Sequence, residues 1–314
     1  MLKRVSTAGM SREDWLAARR HTIGGSDAAG IIGLSRYSTP FTVWADKTGR
    51  APDKPDTEAM RQGRDLEEYV AKRWCEVTGK KVRRCRAMLY NDLYPHSHAD
   101  VDRLVIGESA GLECKTTSTL DVREFKGVEF PARYYAQCVH YLAVTGLDRW
   151  YLAVLVFGRQ LYVYTLERDE AEIAALMQAE ADFWERYVAK DTPPAPDGSE
   201  ATEETIGTIW RESRDEVCTI FGRESLLDEY GRLKEQKKAV EDRIREIEST
   251  VKTDMGEAAQ GTCGSWRITW RTHERKSLMA PKLAAEHPEI DLSSYYKTAT
   301  VRPFTIKKIE EETA

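Results

Sequence analysis

Ala99-Asp100-Val101-Asp102-Arg103-Leu104-Val105-Ile106, a short polar turn and then Gly111-Leu112-Glu113-Cys114-Lys115-Thr116 form the stretch whose reading decides the fold. Aliphatic residues over Val101 to Ile106 and over Gly111 to Thr116 predict two strands, and the short connection predicts a hairpin. Alternate residues of a strand face one side, so Glu113 and Lys115 project together while Leu112 and Cys114 point away. Pairing in the hairpin sets Asp102 beside Glu113. Asp100 and Asp102 have the same strand parity, so spacing alone does not choose between them.

Two carboxylates and a lysine on one patch suit phosphodiester hydrolysis. Carboxylate oxygens hold Mg²⁺ while leaving it several waters, and the metal stabilises charge on phosphate and acidifies a bound water. A neighbouring lysine can orient or deprotonate the attacking water and offset developing negative charge. The backbone carbonyl of Cys114 is a further candidate ligand. By itself Asp-x(10)-Glu-x-Lys is a weak pattern, because 32% of the chain is charged. An exposed hairpin with an ordinary Glu–Lys pair would read the same way.

Outward from this stretch the elements alternate. Ser11 caps a helix running through Arg20, with Glu13 and Asp14 in its first turn. A second helix is predicted over Thr39 to Lys47, with Pro40 in its first turn. A third runs from Leu66 to Thr78 and ends at Gly79, with Leu66, Val70 and Trp74 on one face. Ala87 to Tyr90 reads as a strand. Downstream, Pro131 to Thr145 is helical up to Gly146. Arg149 to Val156 and Gln160 to Leu166 form a hairpin, and a helix follows from Arg168 to Val188. The proline-rich segment from Lys190 to Ser199 then reads as a linker. The expected organisation is a domain over 1–190, a connecting segment over 191–220 and an accessory domain over 221–314. In the last of these, Leu226, Tyr230, Leu233, Lys237, Val240, Ile244, Ile247 and Val251 follow heptad spacing interrupted by Lys237. Trp266 to Arg271 and Thr298 to Ile306 read as strands.

Composition sets the outer limits. The chain has 314 residues, of which 41% are hydrophobic, and six scattered cysteines without a CxxC pair. That argues against a disulfide framework or a close-spaced zinc or iron–sulfur site. No run approaches the roughly 18 apolar residues of a membrane span, and the first residues lack a signal-peptide block, so a cytoplasmic, non-membrane protein is expected. Net charge is −5, yet basic residues cluster at Arg19-Arg20 and from Lys80 to Arg86, compatible with a phosphate-binding groove. His96 and His98 have zinc-like spacing but lack a third nitrogen or sulfur ligand nearby.

Beyond the central hairpin, several blocks occur in order. They are Trp15, Arg19 and Ile23-Gly24-Gly25-Ser26-Asp27; Ile31 to Tyr37 with Thr39-Pro40; Gly63-Arg64-Asp65-Leu66-Glu67; Asp102 with Glu113-Cys114-Lys115; and Gln137-Cys138-Val139-His140-Tyr141. In these the chain resembles the YqaJ-type viral recombinase family of PD-(D/E)XK nucleases and, more distantly, lambda exonuclease. The resemblance covers roughly residues 12 to 166. It implies an α/β fold with a restriction-endonuclease-like core, a central mixed sheet flanked by helices, followed by the helical and β accessory region. It implies that Asp102, Glu113 and the Cys114 carbonyl ligate Mg²⁺, for which Mn²⁺ could substitute. Glu67 would contact the metal or its waters, Lys115 would assist the attacking water, and Gln137 with Tyr141 would position water or phosphate. Arg19 and Ser26 match positions that bind a terminal 5′ phosphate in lambda exonuclease, where an arginine fork and a compact hydroxyl suit phosphate oxygens. Gly24 and Gly25 would permit close backbone approach, although Gly-Gly-Ser-Asp also fits a turn and cap leading into Ala28 to Gly33.

The implied activity is Mg²⁺-dependent 5′→3′ digestion of duplex DNA ends, leaving single strands for phage-type recombination in a bacterial host. The implied partners are duplex DNA ends, a single-strand annealing protein and further copies of the chain. An endonuclease, a single-strand-specific nuclease and an inactive DNA-end-binding protein are the alternatives. The chain departs from the motif in one place, with Val101 where a proline is expected before the aspartate. Asp102 is preferred over Asp100 only because the resemblance aligns it.

Overall fold

The computed structural model describes residues 1–52, 56–118, 130–275, 277–297 and 301–306. The chain divides into one unit of Met1–Glu212 with Arg302–Ala314 and a second of Ser213–Val301.

In the first unit, β1 (Leu2–Ser6) leads into α1 (Arg12–Arg20), whose cap Ser11 accepts from the amide of Asp14. The two-residue β2 (Ile23–Gly24) turns into α2 (Gly25–Ile31). α3 (Pro40–Lys47) starts at the cap Thr39 with proline in its first turn. α4 (Glu58–Thr78) is capped by Thr57 and closed by Gly79, whose φ of 72° is the left-handed conformation that ends helices. It starts two turns before the expected Leu66. Those turns are mostly exposed and carry no apolar stripe, so periodicity could not register them. Gly63, the first residue of the Gly63-to-Glu67 block, therefore lies inside α4.

β3 (Val82–Arg84), β4 (Ala87–Asn91), β5 (Ser97–Asp100), β6 (Arg103–Val105) and β7 (Ala110–Thr117) follow, then α5 (Ala132–Thr145), β8 (Arg149–Val156) and β9 (Leu161–Glu167). Five strands form a mixed sheet in the order β3-β6-β7-β8-β9, and four form a second in the order β1-β4-β5-β2. The parallel pairs are β7 with β8 and β2 with β5. The strand expected over Val101 to Ile106 is present as β6, but the reading that Asp100 and Asp102 share one strand is corrected here. β5 belongs to one sheet and β6 to the other, and the chain passes between them at Val101-Asp102. Strand parity consequently relates nothing across Asp100 and Asp102.

α4 covers one face of the five-stranded sheet, where Val70, Ala71 and Trp74 pack with Leu112, Cys114, Tyr151 and Ala153. The other face meets α5 and α6 (Glu170–Phe183) through Trp150, Leu152, Val154, Ala136, Val139, Ile173 and Met177. This gives a mixed α/β core with helices on both faces. α6 continues into a π-helical turn, Trp184–Val188. The proline segment is irregular, but α7 (Glu200–Ile209) beyond it returns to the core. Thr202 and Thr39 hydroxyls lie 2.8 Å apart, and Ile206 and Ile209 pack on the Phe41–Trp44 cluster. The compact unit thus extends past residue 190 to Glu212.

The second unit contains α8 (Glu224–Met255), the hairpin β10 (Gln260–Cys263) with β11 (Trp266–Thr269), and α9 (Ala280–Glu286). None of its described residues is buried. Val301–Ile306 carries no strand, and 298–300 lie outside the described residues. Among the described residues no helix is long and apolar enough to cross a membrane.

Candidate active site

The register of β6 on β7 builds the centre of the site. Arg103 pairs with Leu112 and Leu104 with Gly111, so Asp102 sits opposite Glu113 just where β6 begins. One carboxylate oxygen of Asp102 accepts from the Cys114 amide at 2.8 Å. Glu113 is buried, and its Oε1 takes the Lys115 ammonium at 2.6 Å and the Gln137 amide at 2.8 Å. The same Gln137 nitrogen donates to the Tyr141 hydroxyl at 2.8 Å. Lys115 lies 5.7 Å from the ring centre of Tyr134. Glu113 Oε2 is buried with no hydrogen-bond partner. A buried acceptor without a donor is costly, and here it marks a position suited to a cation.

Glu67 lies in the same cleft but is turned away from this pair. Leu112 packs toward α4, so its partner Arg103 also projects to that face and there meets Glu67 and Glu68. Arg103 is only 3% exposed, and an enclosed guanidinium needs these carboxylates. Among the described residues, no three His, Cys, Asp or Glu side chains gather as a metal cage. Asp102, Glu113 and the Cys114 carbonyl still fit Mg²⁺, which takes few protein ligands and keeps several waters.

Electrostatics follow from this crowding. Burial and then the charge of Glu113 push the Asp102 carboxyl well above the ordinary range, with Glu67 adding to both. Glu113 is raised chiefly by burial, against the pull of Lys115. Burial works to lower the Lys115 pKa, but Glu113 and Asp102 overcome it and raise the value. The same carboxylates favour the ammonium form of Lys115, which donates to Glu113.

A second cluster flanks the carboxylates. Arg19 stacks on Trp15, with 4.6 Å to the ring centre, and donates to the Ser26 hydroxyl at 2.7 Å. Asp100 belongs here, 3.9 Å from the Arg19 Nε and 3.6 Å from His98 Nε2. Asp27 accepts from the Gly24 amide and pairs with Lys47 at 2.6 Å. Although burial opposes it, Lys47 and Arg19 hold that carboxyl down at about 2. A Cβ on Gly25 would stand 2.6 Å from the Tyr141 ring, and one on Gly24 would stand 3.0 Å from His98. The two glycines thus allow α2 to close on α5 and β5, so this packing is their evident demand. A cavity of about 480 Å³ joins the two clusters, lined by Arg12, Trp15, Arg19, Glu67, Asp102, Glu113 and Lys115 among others.

The sequence profile of the YqaJ-like viral recombinase domain matches residues 14–148, a range that contains every candidate site residue. Over 306 residues the chain is 37% identical to the uncharacterized protein YqaJ of Bacillus subtilis (strain 168), covering 96% of this chain and 95% of that one. The chain belongs to the YqaJ-like viral recombinase family. Among solved structures, it is similar to an alkaline exonuclease from Laribacter hongkongensis at 22% identity, covering 57% of this chain and 93% of that one, with a TM-score of 0.48. The complex of that exonuclease with dAMP matches at the same identity and coverage, with a TM-score of 0.49.

In this YqaJ-family chain the structure gathers Asp102, Glu113 and Lys115 with Arg19 around one cleft, with Gln137 and Tyr141 bonded behind Glu113 and Ser26 bonded to Arg19. Glu67 lines the same cleft while bound to Arg103. Arg103 was not legible as a site neighbour, because a strand arginine looks exposed until the opposing helix is placed. His140 also escaped notice. It is fully buried, with Nδ1 2.7 Å from Glu180 Oε1 and Nε2 2.8 Å from the His98 carbonyl, while Ser97 donates to the other Glu180 oxygen. The pattern Gln137-x-x-His140-Tyr141 contained the signal, since positions three and four apart share a helix face.

Proposed function

We propose that this chain is a divalent-metal-dependent deoxyribonuclease that digests duplex DNA from 5′ ends and leaves single strands for recombination. One observation carries the reading: the Asp102–Glu113–Lys115 centre and the Arg19–Ser26 pair line or flank a single cleft. Cleavage chemistry and a grip on a terminal phosphate would then lie within one DNA end's reach.

Asp102, Glu113 through its unpartnered oxygen, and the Cys114 carbonyl would hold Mg²⁺, with Mn²⁺ able to replace it. The ion would supply charge stabilisation at the scissile phosphate and a more acidic water. Lys115, held as an ammonium, would donate to the phosphate or to the attacking oxygen. Gln137 fixes the rotamer of Glu113 and is itself steadied by Tyr141. Glu67 would act on coordinated waters once loosened from Arg103. Arg19, levelled against Trp15, would present its planar fork to the 5′ phosphate beside Ser26. Family membership supports a role in recombination, and on the same reading the chain has a single-strand annealing partner in the cytoplasm of a bacterial host.

A duplex labelled separately at each end, incubated with Mg²⁺ beside a covalently closed circle, tests the reading. The expected result is release of nucleotides from 5′ ends, an intact circle, and loss of activity with retained DNA binding in Lys115→Ala. Cutting of the circle at an equal rate would favour an endonuclease. No release with either Mg²⁺ or Mn²⁺ would leave DNA-end binding alone.

A further inference from the structure

α8 is a 32-residue helix in a unit whose described residues include no buried side chain. At 1.5 Å per residue it is about 48 Å long. Leu226, Leu233, Val240 and Ile247 occupy one set of heptad core positions, and Tyr230, Lys237, Ile244 and Val251 the alternate set. Of these, Leu226, Leu233, Val240, Ile244 and Ile247 are 49–59% exposed. A straight apolar seam of this length in water calls for a partner with the same repeat.

The flanking charges say which partner. Glu229, Gln236 and Arg243 precede the seam on one side, and Lys234, Glu241 and Glu248 follow it on the other. When two copies lie parallel and in register, the first set faces the second five residues on in the partner helix. Glu229 then meets Lys234 and Arg243 meets Glu248, each twice by symmetry, and Gln236 opposite Glu241 is neutral. No like charges face each other across these flanks. An antiparallel pair centred on the same seam retains only Lys234 with Glu241 and leaves Glu229, Arg243 and Glu248 without opposite charges. Lys237 is the one polar core position, of the kind that fixes register at a cost in stability.

From this seam and its charge pattern we infer that α8 joins two copies of this chain in a parallel, in-register coiled coil. The inference is independent of the nuclease reading. Sedimentation of the full chain should show a dimer across micromolar concentrations, and Ile244→Glu should yield a monomer. Glu229→Lys with Arg243→Glu should weaken dimerisation by about tenfold or more, and adding Lys234→Glu with Glu248→Lys should restore it. Lys237→Ile should tighten the dimer. In a Cys218→Ser, Cys263→Ser background, Ile244→Cys should form a disulfide between equivalent residues. A monomeric wild type, an assembly indifferent to Ile244→Glu, a failed charge rescue, or cross-linking that requires cysteines at both 233 and 244 would each overturn the proposal.

Discussion

At Asp102 two carboxylates meet in an enclosure that opposes both charges, and Lys115 offsets only part of the repulsion. Such a pair gains most from a cation, because the cation removes the like-charge and burial penalties together. Asp100 answers to a different sheet and faces Arg19 and His98. The two aspartates should therefore separate experimentally. Asp102→Asn should cost several kcal/mol of transition-state stabilisation, more than about a hundredfold in rate, with DNA binding kept. Asp100→Asn should leave turnover within about tenfold, with its effect confined to discrimination between 5′-phosphorylated and 5′-hydroxyl ends. Single-turnover digestion of the two substrates decides this, and equal losses in both variants would contradict the assignment.

At the scale of elements, α5 carries the coupling. Gln137 and Tyr141 reach the site, and His140 on the same helix ties β5 to α6 through Glu180. Burial acts to lower the His140 pKa, but the charge and hydrogen bond of Glu180 outweigh it and raise the value above 6.5. A raised histidine binds its proton more tightly folded than unfolded. Its contribution is therefore complete below the unfolded pKa and is lost as pH rises through the folded one. The stability advantage of wild type over His140→Gln, read from urea midpoints, should be larger at pH 6 than at pH 9. An unchanged gap would mean that the pair is not ionic. Removing the acid instead, in Glu180→Leu, should cost about 3–5 kcal/mol at the lower pH, because it strands a buried charge.

At the scale of the whole molecule, a cation bound only by the folded chain must stabilise it. Mg²⁺ at a hundredfold excess over its dissociation constant should add about 2.7 kcal/mol and raise the melting temperature. Glu113→Gln should abolish that increment, and a wild type indifferent to Mg²⁺ would count against the metal-holding role of this cleft. The shared face of Glu113 and Lys115 on β7 was legible in the sequence, because strand alternation puts them on one side, whereas their candidacy as site residues rested on the ordered blocks around them. Also legible were the cap at Ser11, the proline in the first turn of α3, the glycine ends of α4 and α5, the β8–β9 hairpin and the heptads of α8, all of them consequences of short-range geometry. What the tertiary structure decided were matters of long-range packing. The crossing between sheets at Val101-Asp102 separates Asp100 from Asp102, although strand period two treats them alike. The placement of α4 over Leu112 draws Arg103 to Glu67, and the closing of α2 on α5 through Gly25 sets the neighbouring Ser26, with Arg19 bound to it, beside Gln137 and Tyr141. Local spacing determines which way a side chain leaves its own strand or helix, and only the packing of distant segments determines what it meets there.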